Sequence, residues 1–392
     1  MDSLAYSKSQ LETIWQEGHA LCWQEIERIH KEQLKLLIEH SIFSELELFV
    51  GSTKYERTKN RKSYRNGYYE RLIATTLGEI PIKFPRLRYE SFQSKFIEKY
   101  SRRIQEVDYA VLNCFILGGS VRKTKKICDL FINVQISPSG VSNILKTLDD
   151  NAREFHARPI ISKYRFLMLD GLWIKVQDKY DKKKVLLFAM GITYDYQKEV
   201  IGFLLADGET EEAYLTLINN LLKRGFDADV LELIVNDGAK GLRAALNMAL
   251  PYTKKQYCVF HKIQGIAQRL NHKENRSKIM NDASFIYEKA NSKHEAIKLL
   301  QVFINKWKKI EPRVVKYLVM NFDDTLTYFE FPNSVHSLIK TSNHLERYFR
   351  EIRRRTRPMG NFKNNKSVNR IIYALVYTLN NGEVPNKFTQ LS

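Results

Sequence analysis

Between positions 166 and 206 the chain takes up a two-residue rhythm of apolar and polar side chains, the period that puts alternate residues on opposite faces of a strand. Three successive strands are predicted there: Phe166–Val176, Val185–Thr193 and Glu199–Ala206, joined by the turn-like stretches QDKYDKKK and YDYQK. A helical pattern over Glu211–Arg224 follows. Then come an apolar strand Leu231–Val235, a helix beginning near Ala239, and a strand Gln256–Phe260.

Helical spacing dominates on both sides of this block. From Gln10 to about Phe49 apolar residues such as Leu11, Ile14, Trp15, Leu34, Leu36 and Leu37 mark a helical segment. In the basic stretch KYERTKNRKSYRNGYYERLIATTLGEIPIKFPRLR, Leu72–Leu77 and Ile80–Phe84 read as a hairpin turning at Gly78-Glu79. Val107 to His156 carries three helical stretches, separated by Gly118-Gly119 and by Ile136-Ser137-Pro138, with Ser137 as N-cap and Pro138 as first helical residue. The third, 138–156, has Val141, Ile144, Leu145 and Leu148 on one face and Ser139, Ser142, Asn143 and Lys146 on another. That suits a helix-turn-helix reading DNA, and equally a small helical bundle.

The order βββαβαβ is that of an RNase H-like core: a meander of three strands, then crossovers that add parallel ones. Residues 262–340 interrupt the alternation with an all-helical insertion, including a capping-box signal at Ser292 and Glu295 ahead of Leu299 and Leu300. The strongly basic helix SNHLERYFREIRRRTR then returns to complete the core. The expected fold is α/β, divided as 1–50 helical, 51–105 basic β-hairpin, 106–160 helix-turn-helix-like, 161–262 core, 263–340 helical insertion and 341–392 basic helix with the C-terminal region.

With 392 residues, 44% of them hydrophobic, the chain has material for more than one core. Its net charge of +19 points to a polyanionic partner. Residues 51–103 hold 14 Lys/Arg against 5 Asp/Glu and residues 340–372 hold 10 against 2, so two stretches account for most of the excess. Clustering of this kind is expected of nucleic-acid surfaces, although it also describes solvated faces. The four cysteines are scattered without a Cys-x-x-Cys pair, the N-terminus lacks an apolar leader, and no run reaches membrane-span length, so a cytosolic protein is expected. No phosphate-loop motif appears, which argues against an ATP-driven helicase or remodeller.

Three acids stand out. Asp170 in FLMLDGLWIKV falls on the strand face of Phe166, Met168, Leu172, Ile174 and Val176, where it is the only charge. It needs a strand end, a hydrogen-bonding network or a cation, unless an Asp-Gly turn splits the strand. Asp237 follows an apolar strand directly, at the carboxyl end where α/β sheets bind ligands, and could equally be a turn or cap residue. Glu346 could reach back to a helix capped by Asn343. Its helix places Leu345, Tyr348, Phe349 and Ile352 inward and aligns Glu346 with Arg350, Arg353 and Arg357. Acids on two strands and one helix can converge on hard divalent cations such as Mg²⁺, and two such ions suit in-line phosphoryl displacement. Cys258 and His261 in QYCVFHKI lack a second pair for structural zinc and read as buried neighbours at the sheet edge.

These segments together resemble the mutator-type DDE transposases of bacterial insertion sequences over nearly the whole chain. The resemblance is carried by RNGYYERLIATTLGEIPIKFPRLR, LDGLWIKV, VNDGAKGLRAAL, the Cys258-x-x-His261 element and, most specifically, SNHLERYFREIRRRTRPMG. It implies catalytic and metal-binding roles for Asp170, Asp237 and Glu346, with Cys258 and His261 supporting the site. It also implies two Mg²⁺ or Mn²⁺ ions and double-stranded DNA as partner, both terminal inverted repeats and target. Cleavage at the element's ends would be followed by transfer of the 3′-hydroxyl. A homodimer or larger homo-oligomer in the bacterial cytoplasm, near the nucleoid, is implied too. Gly171 stands where Ala is expected in the family, and Tyr348-Phe349 is bulkier than usual. The residues expected to grip DNA are Arg350, Arg353, Arg354, Arg357, Lys146, Asn143, Arg61, Lys62, Arg65, Arg86 and Arg88. The alternatives are a catalytically silent DNA-binding regulator on the same fold, and another RNase H-like nuclease that cleaves without strand transfer.

Overall fold

The computed structural model describes residues 8, 9, 12, 19–56, 58, 61–131, 134–177 and 181–385. The helical turns expected around Leu11, Ile14 and Trp15, and positions 178–180 of the first turn stretch, lie outside the described residues. The chain divides into two compact units, Met1–Ile144 and Leu145–Ser392. Among the described residues no helix is long and apolar enough to cross a membrane.

The first unit opens with α1 (His19–Val50) and a hairpin of β1 (Arg65–Thr75) and β2 (Gly78–Leu87). The inner face of the hairpin, Ile73, Ile80, Ile82 and Phe84, packs on Ile38 and Ile42 of α1. The turn falls at Thr76-Leu77, two residues before the expected Gly78-Glu79, because Thr75 and Gly78 are already paired. Thr75 Oγ1 donates to Gly78 O at 2.8 Å and accepts from the Leu77 N–H at 3.1 Å, and Gly78 supplies the φ of +102° that follows. Helices α2 (Gln105–Ile116) and α3 (Val121–Phe131) pack on one another.

Helix α4 (Pro138–Lys146) starts as expected, with Ser137 Oγ accepting the Gly140 N–H at 3.0 Å. The single helix expected over 138–156 is in fact two. At Leu148 the backbone relaxes to φ −83°, ψ 0°, and its N–H bonds Leu145 O, three residues back. Helix α5 (Asp149–Ala157) then begins with Asp149 and Asp150 in its first turn, where acids suit the helix dipole. Asp149 is gripped by Arg370 through bonds of 2.7 and 2.6 Å.

The second unit is built on a five-stranded sheet of order β5-β4-β3-β6-β7. Strands β3 (Tyr164–Gln177), β4 (Asp181–Thr193) and β5 (Lys198–Ala206) form the antiparallel meander that the alternation predicts. Helix α6 (Glu211–Lys223) crosses to β6 (Leu233–Asn236), and α7 (Lys240–Ala249) to β7 (Lys254–Tyr257), both strands parallel to β3 or to each other. Leu167, Leu169, Leu187 and Ile234 on one face pack with Tyr214, Leu217, Leu242 and Leu246 of α6 and α7. On the other face Phe188 meets Phe349 at 5.3 Å and Phe203 meets Phe155 at 5.7 Å.

The last strand stops at Tyr257, short of the expected Phe260, because the Cys258 N–H still bonds Asn236 O whereas the Val259 N–H turns away to Lys340 O. From there run α8 (Val259–Ala267), α9 (Arg276–Lys289), α10 (Lys293–Trp307), α11 (Pro312–Val319) and α12 (Asn333–Ile339). Ser292 caps α10 by accepting the Glu295 N–H, while Glu295 reaches the Asn291 N–H instead of closing the box on Ser292. Helix α13 (Asn343–Thr356) and α14 (Asn365–Asn381) return to the sheet. The Asn380 amide on α14 pairs with both backbone groups of Val200 on the edge strand β5, at 3.1 Å each.

Gly191 on β4 faces the ring of Tyr164, which would lie 2.3 Å from an added Cβ. Gly191→Ala is therefore expected to lower stability by about 1–3 kcal/mol in urea unfolding. Gly208→Ala, whose nearest neighbour would be 3.8 Å away, should stay within about 0.5 kcal/mol of the parent.

Candidate acidic site

Asp170 lies in an unbroken strand, so no Asp-Gly turn splits β3. It is 3% exposed, and its Oδ1 accepts the Gly171 N–H at 2.7 Å. Ser342 Oγ lies 3.3 Å from Oδ2, and His261 Nε2 lies 3.9 Å from the same oxygen. Burial pushes this carboxyl up to about 7; His261 opposes the shift, and the neighbouring charges of Asp237 and Glu346 add to it.

Register brings the second acid alongside. Leu169 pairs with Asn236, the last residue of β6, so the next position on each strand is Asp170 and Asp237. Asp237 is not the cap of α7, since Ala239 holds that position. Its Oδ1 accepts the Ala239 N–H at 2.9 Å in a local turn. The preceding Asn236 braces the turn by accepting the Gly238 N–H and donating to Gln256 O. Burial raises the Asp237 pKa, partly offset by the Ala239 bond and by His261.

Glu346 comes from the first turn of α13. Ser342, not Asn343, is the N-cap, and it makes no side-chain capping bond, so the capping explanation for Glu346 falls away. The carboxylate lies 3.8 Å from His261 Nε2 through Oε1 and 3.9 Å from Arg353 through Oε2. Leu345, Phe349 and Ile352 are buried as the helical pattern requires, and Tyr348 donates its hydroxyl to Leu379 O or Asn380 Oδ1.

Ser342 is the residue that sequence reasoning missed. Its N–H donates to Cys258 Sγ at 3.2 Å, and its Oγ lies 3.3 Å from that sulfur and 3.4 Å from His261 Nδ1. It thereby ties the start of α13 to α8 and to Asp170. Locally it looks like an ordinary helix-capping serine, and only the tertiary fold reveals its partners. Burial works against charging His261, but the hydrogen bond to Cys258 and the nearby Asp170 outweigh it and raise the imidazole to about 9. Ligand atoms of Asp170, His261 and Glu346 lie within 4.8 Å of one another. Two carboxylate oxygens and an imidazole nitrogen at that spacing are a donor set suited to a divalent cation. Asp237 stands beside this trio, directly after the end of the adjacent strand.

The basic residues take varied places. Arg350, Arg354 and Arg357 are exposed, Arg354 pairing with Glu351 at 2.9 Å, whereas Arg357 has left α13 and occupies its C-cap. Arg355 is buried and bound to Glu351. Asn143 and Lys146 are exposed on α4. In the hairpin unit Lys62, Arg86 and Arg88 are exposed, Arg61 stacks over Tyr64 at 5.2 Å, and Arg65 binds Glu47 and Ser52 O.

Comparison with known proteins matches residues 7–382 to the family described as Transposase, Mutator family. The transposase for insertion sequence element IS905 of Lactococcus lactis is 29% identical, covering 90% of this chain and 89% of its own. The transposase for IS256 in transposon Tn4001 of Staphylococcus aureus is 32% identical, covering 84% and 85%. The transposase for ISRM5 of Rhizobium meliloti is 28% identical, covering 92% and 90%.

The buried Asp170 has a stability signature. Its carboxyl titrates near 3.8 when unfolded and about 7 when folded, so the folded chain holds the extra proton between those values. Stability is thus expected to fall as pH rises from about 4 through 7, the full cost being present above 7. Metal-free Asp170→Asn should exceed the parent at pH 8 by roughly 2–4 kcal/mol, with the advantage vanishing towards pH 4, as read by urea midpoints in chelator.

Proposed function

The chain belongs to the Mutator family of transposases, and we propose that it cleaves and joins DNA with Asp170, Asp237 and Glu346 as a DDE triad on an RNase H-like core. The observation that carries this is the meeting of Asp170, His261 and Glu346 within 4.8 Å, with Asp237 at the next register position. The β5-β4-β3-β6-β7 order supports the fold assignment.

Asp170, Asp237 and Glu346 are the residues that would hold the divalent cations. Mg²⁺ or Mn²⁺, when bound, supplies the Lewis acidity that activates an attacking oxygen and stabilises a leaving one. Ser342 orients Asp170 and His261. Before cations arrive, the protonated imidazole neutralises the acids from between Asp170 and Glu346. Arg350, Arg353, Arg354 and Arg357 line a phosphate track leading to Glu346, so metal grip and DNA grip share one helix. Water attack at a terminal inverted repeat releases a 3′-hydroxyl, which then attacks a target phosphodiester. Each step exchanges one P–O bond for another.

Asn143 and Lys146 on α4, with Arg61, Lys62, Arg65, Arg86 and Arg88 of the hairpin unit, read or clamp the repeats. Two ends cut in concert call for a homodimer or larger assembly, acting on the bacterial nucleoid in the cytoplasm.

Mg²⁺-dependent nicking of a terminal-repeat duplex is expected from the parent. Asp170→Ala, Asp237→Ala and Glu346→Gln should each lower its rate by on the order of 100-fold or more. Acid variants that cleave like the parent would refute the triad. Specific binding without cleavage under any divalent metal would instead select a silent regulator, and cleavage without joining a simple nuclease. Arg350→Ala and Arg357→Ala should each flatten the slope of log affinity against log salt by about 1, without changing sequence preference.

A further inference from the structure

The face of the β1–β2 hairpin that packs on α1 near the turn changes character towards the open end of the hairpin. Arg65 pairs with Leu87 and Tyr68 with Pro85, so Asn66 and Gly67 together oppose Arg86 alone. This is a bulge of one extra residue, and Gly67 sits in it with a φ of +74°. The ladder runs one step past Arg65, where the Arg88 N–H donates to Tyr64 O at 2.9 Å. Tyr69 pairs with Phe84. Phe84, Arg86 and Arg88 share a face by alternation, so the bulge brings Tyr64 to the same face as Tyr69, which plain alternation would have put on opposite sides.

On that face rings and guanidinium groups interleave. Tyr69 is stacked on Phe84, at 5.6 Å and 28°, and Arg86 lies over the Tyr69 ring at 5.1 Å. Arg61 lies over the Tyr64 ring at 5.2 Å, and Tyr89 meets Tyr64 edge-on at 6.2 Å. Phe84 belongs to the core beside α1 and anchors the row at its inner end. The tyrosines stand outside that core, since Tyr69 is 37% exposed, Tyr64 56% and Tyr89 75%. Glu70, the acid of β1, lies on the opposite face across from Lys83. Arginines set among open tyrosine rings suit a polyanion that also carries flat rings. In a duplex the base faces are already stacked on one another, so the ligand that offers both is an unpaired strand.

We propose that this end of the hairpin is a binding site for single-stranded DNA, with Tyr64 and Tyr69 stacking on unpaired bases and Arg61, Arg86 and Arg88 holding the phosphates between them. This deepens the DNA-binding role given above to those arginines, and it rests on that role but not on the acidic triad. A nicked end that frays supplies such a strand beside duplex DNA.

The test is the fluorescence of a single-stranded oligothymidylate carrying one 2-aminopurine, titrated with the full chain. The parent should bind it and quench the probe, as stacking on a ring does. Tyr64→Leu and Tyr69→Leu should each weaken binding by roughly 5-fold or more and restore the emission at saturation. Tyr64→Phe, which keeps the ring, should behave as the parent. Affinity for a blunt duplex of the same length should stay within about 2-fold in Tyr64→Leu, because phosphate contacts carry that binding. Tyr64→Leu serves alone if lost packing on Phe84 makes Tyr69→Leu fold poorly. A parent that binds the strand without quenching, or a Tyr64→Leu chain that quenches as the parent does, would overturn the proposal. Equal loss of duplex and single strand in Tyr64→Leu would overturn it in favour of a general phosphate clamp. A change confined to the sedimentation of the DNA-free chain would overturn it in favour of a contact between copies. Mg²⁺-dependent nicking by the parent is read separately, so failure of this site and failure of the triad are told apart.

Discussion

A carboxylate in the middle strand of a sheet cannot keep its charge unless compensation stands next to it, and Asp170 is such a carboxylate. Asp237 and Glu346 bear on it as like charges, so mutual repulsion adds to desolvation. Much of the second unit can be understood as managing that imbalance. His261 is held between two of the acids, Ser342 bridges it to Asp170, and Arg353 stands beyond Glu346. A site of this kind is unfavourable by itself and becomes favourable when positive charge arrives.

Holding His261 in place is the work of the helical block between β7 and α13. The next residue, Lys262, is fully buried, with its ammonium donating to Tyr317 O at 2.8 Å and Met320 O at 2.5 Å and sitting 4.6 Å from the Tyr317 ring centre. Burial pulls its pKa down to about 8, so the contact is costly and specific together. Gly265 one turn later lets the Tyr317 hydroxyl approach to where a Cβ would be only 2.1 Å away. Helix α8 is therefore clamped along its length, and Cys258 and His261 at its start inherit that rigidity.

The sheet was legible because its signal is local. Phe166 to Val176 alternate, the buried parallel strand β6 is a short apolar run, and the turn chemistry along the meander is conspicuous. Two of the misplaced boundaries share one cause, namely tertiary bonds overriding local preference. QYCVF reads as a strand through Phe260, yet the Val259 N–H is captured by Lys340 O and the chain turns into a helix. SNHLE reads as a helix capped by Asn343, yet the cap position belongs to Ser342, whose side chain is occupied by Asp170, Cys258 and His261. The three acids could be proposed from their strand and helix positions. Ser342 could not, because its partners lie more than eighty residues away.

The amide of Asn380 against Val200 has a bearing on how copies of this chain could assemble. An exposed edge strand is an open template on which another chain can add a strand of its own. Here the donor and acceptor of Val200, near the start of β5, are already saturated by a side chain, and Tyr348 adds its hydroxyl to the same amide. Sheet-to-sheet growth along that margin is blocked at this point. A strand added there would first have to displace the Asn380 amide, so the edge is guarded by a side chain that two helices hold in place.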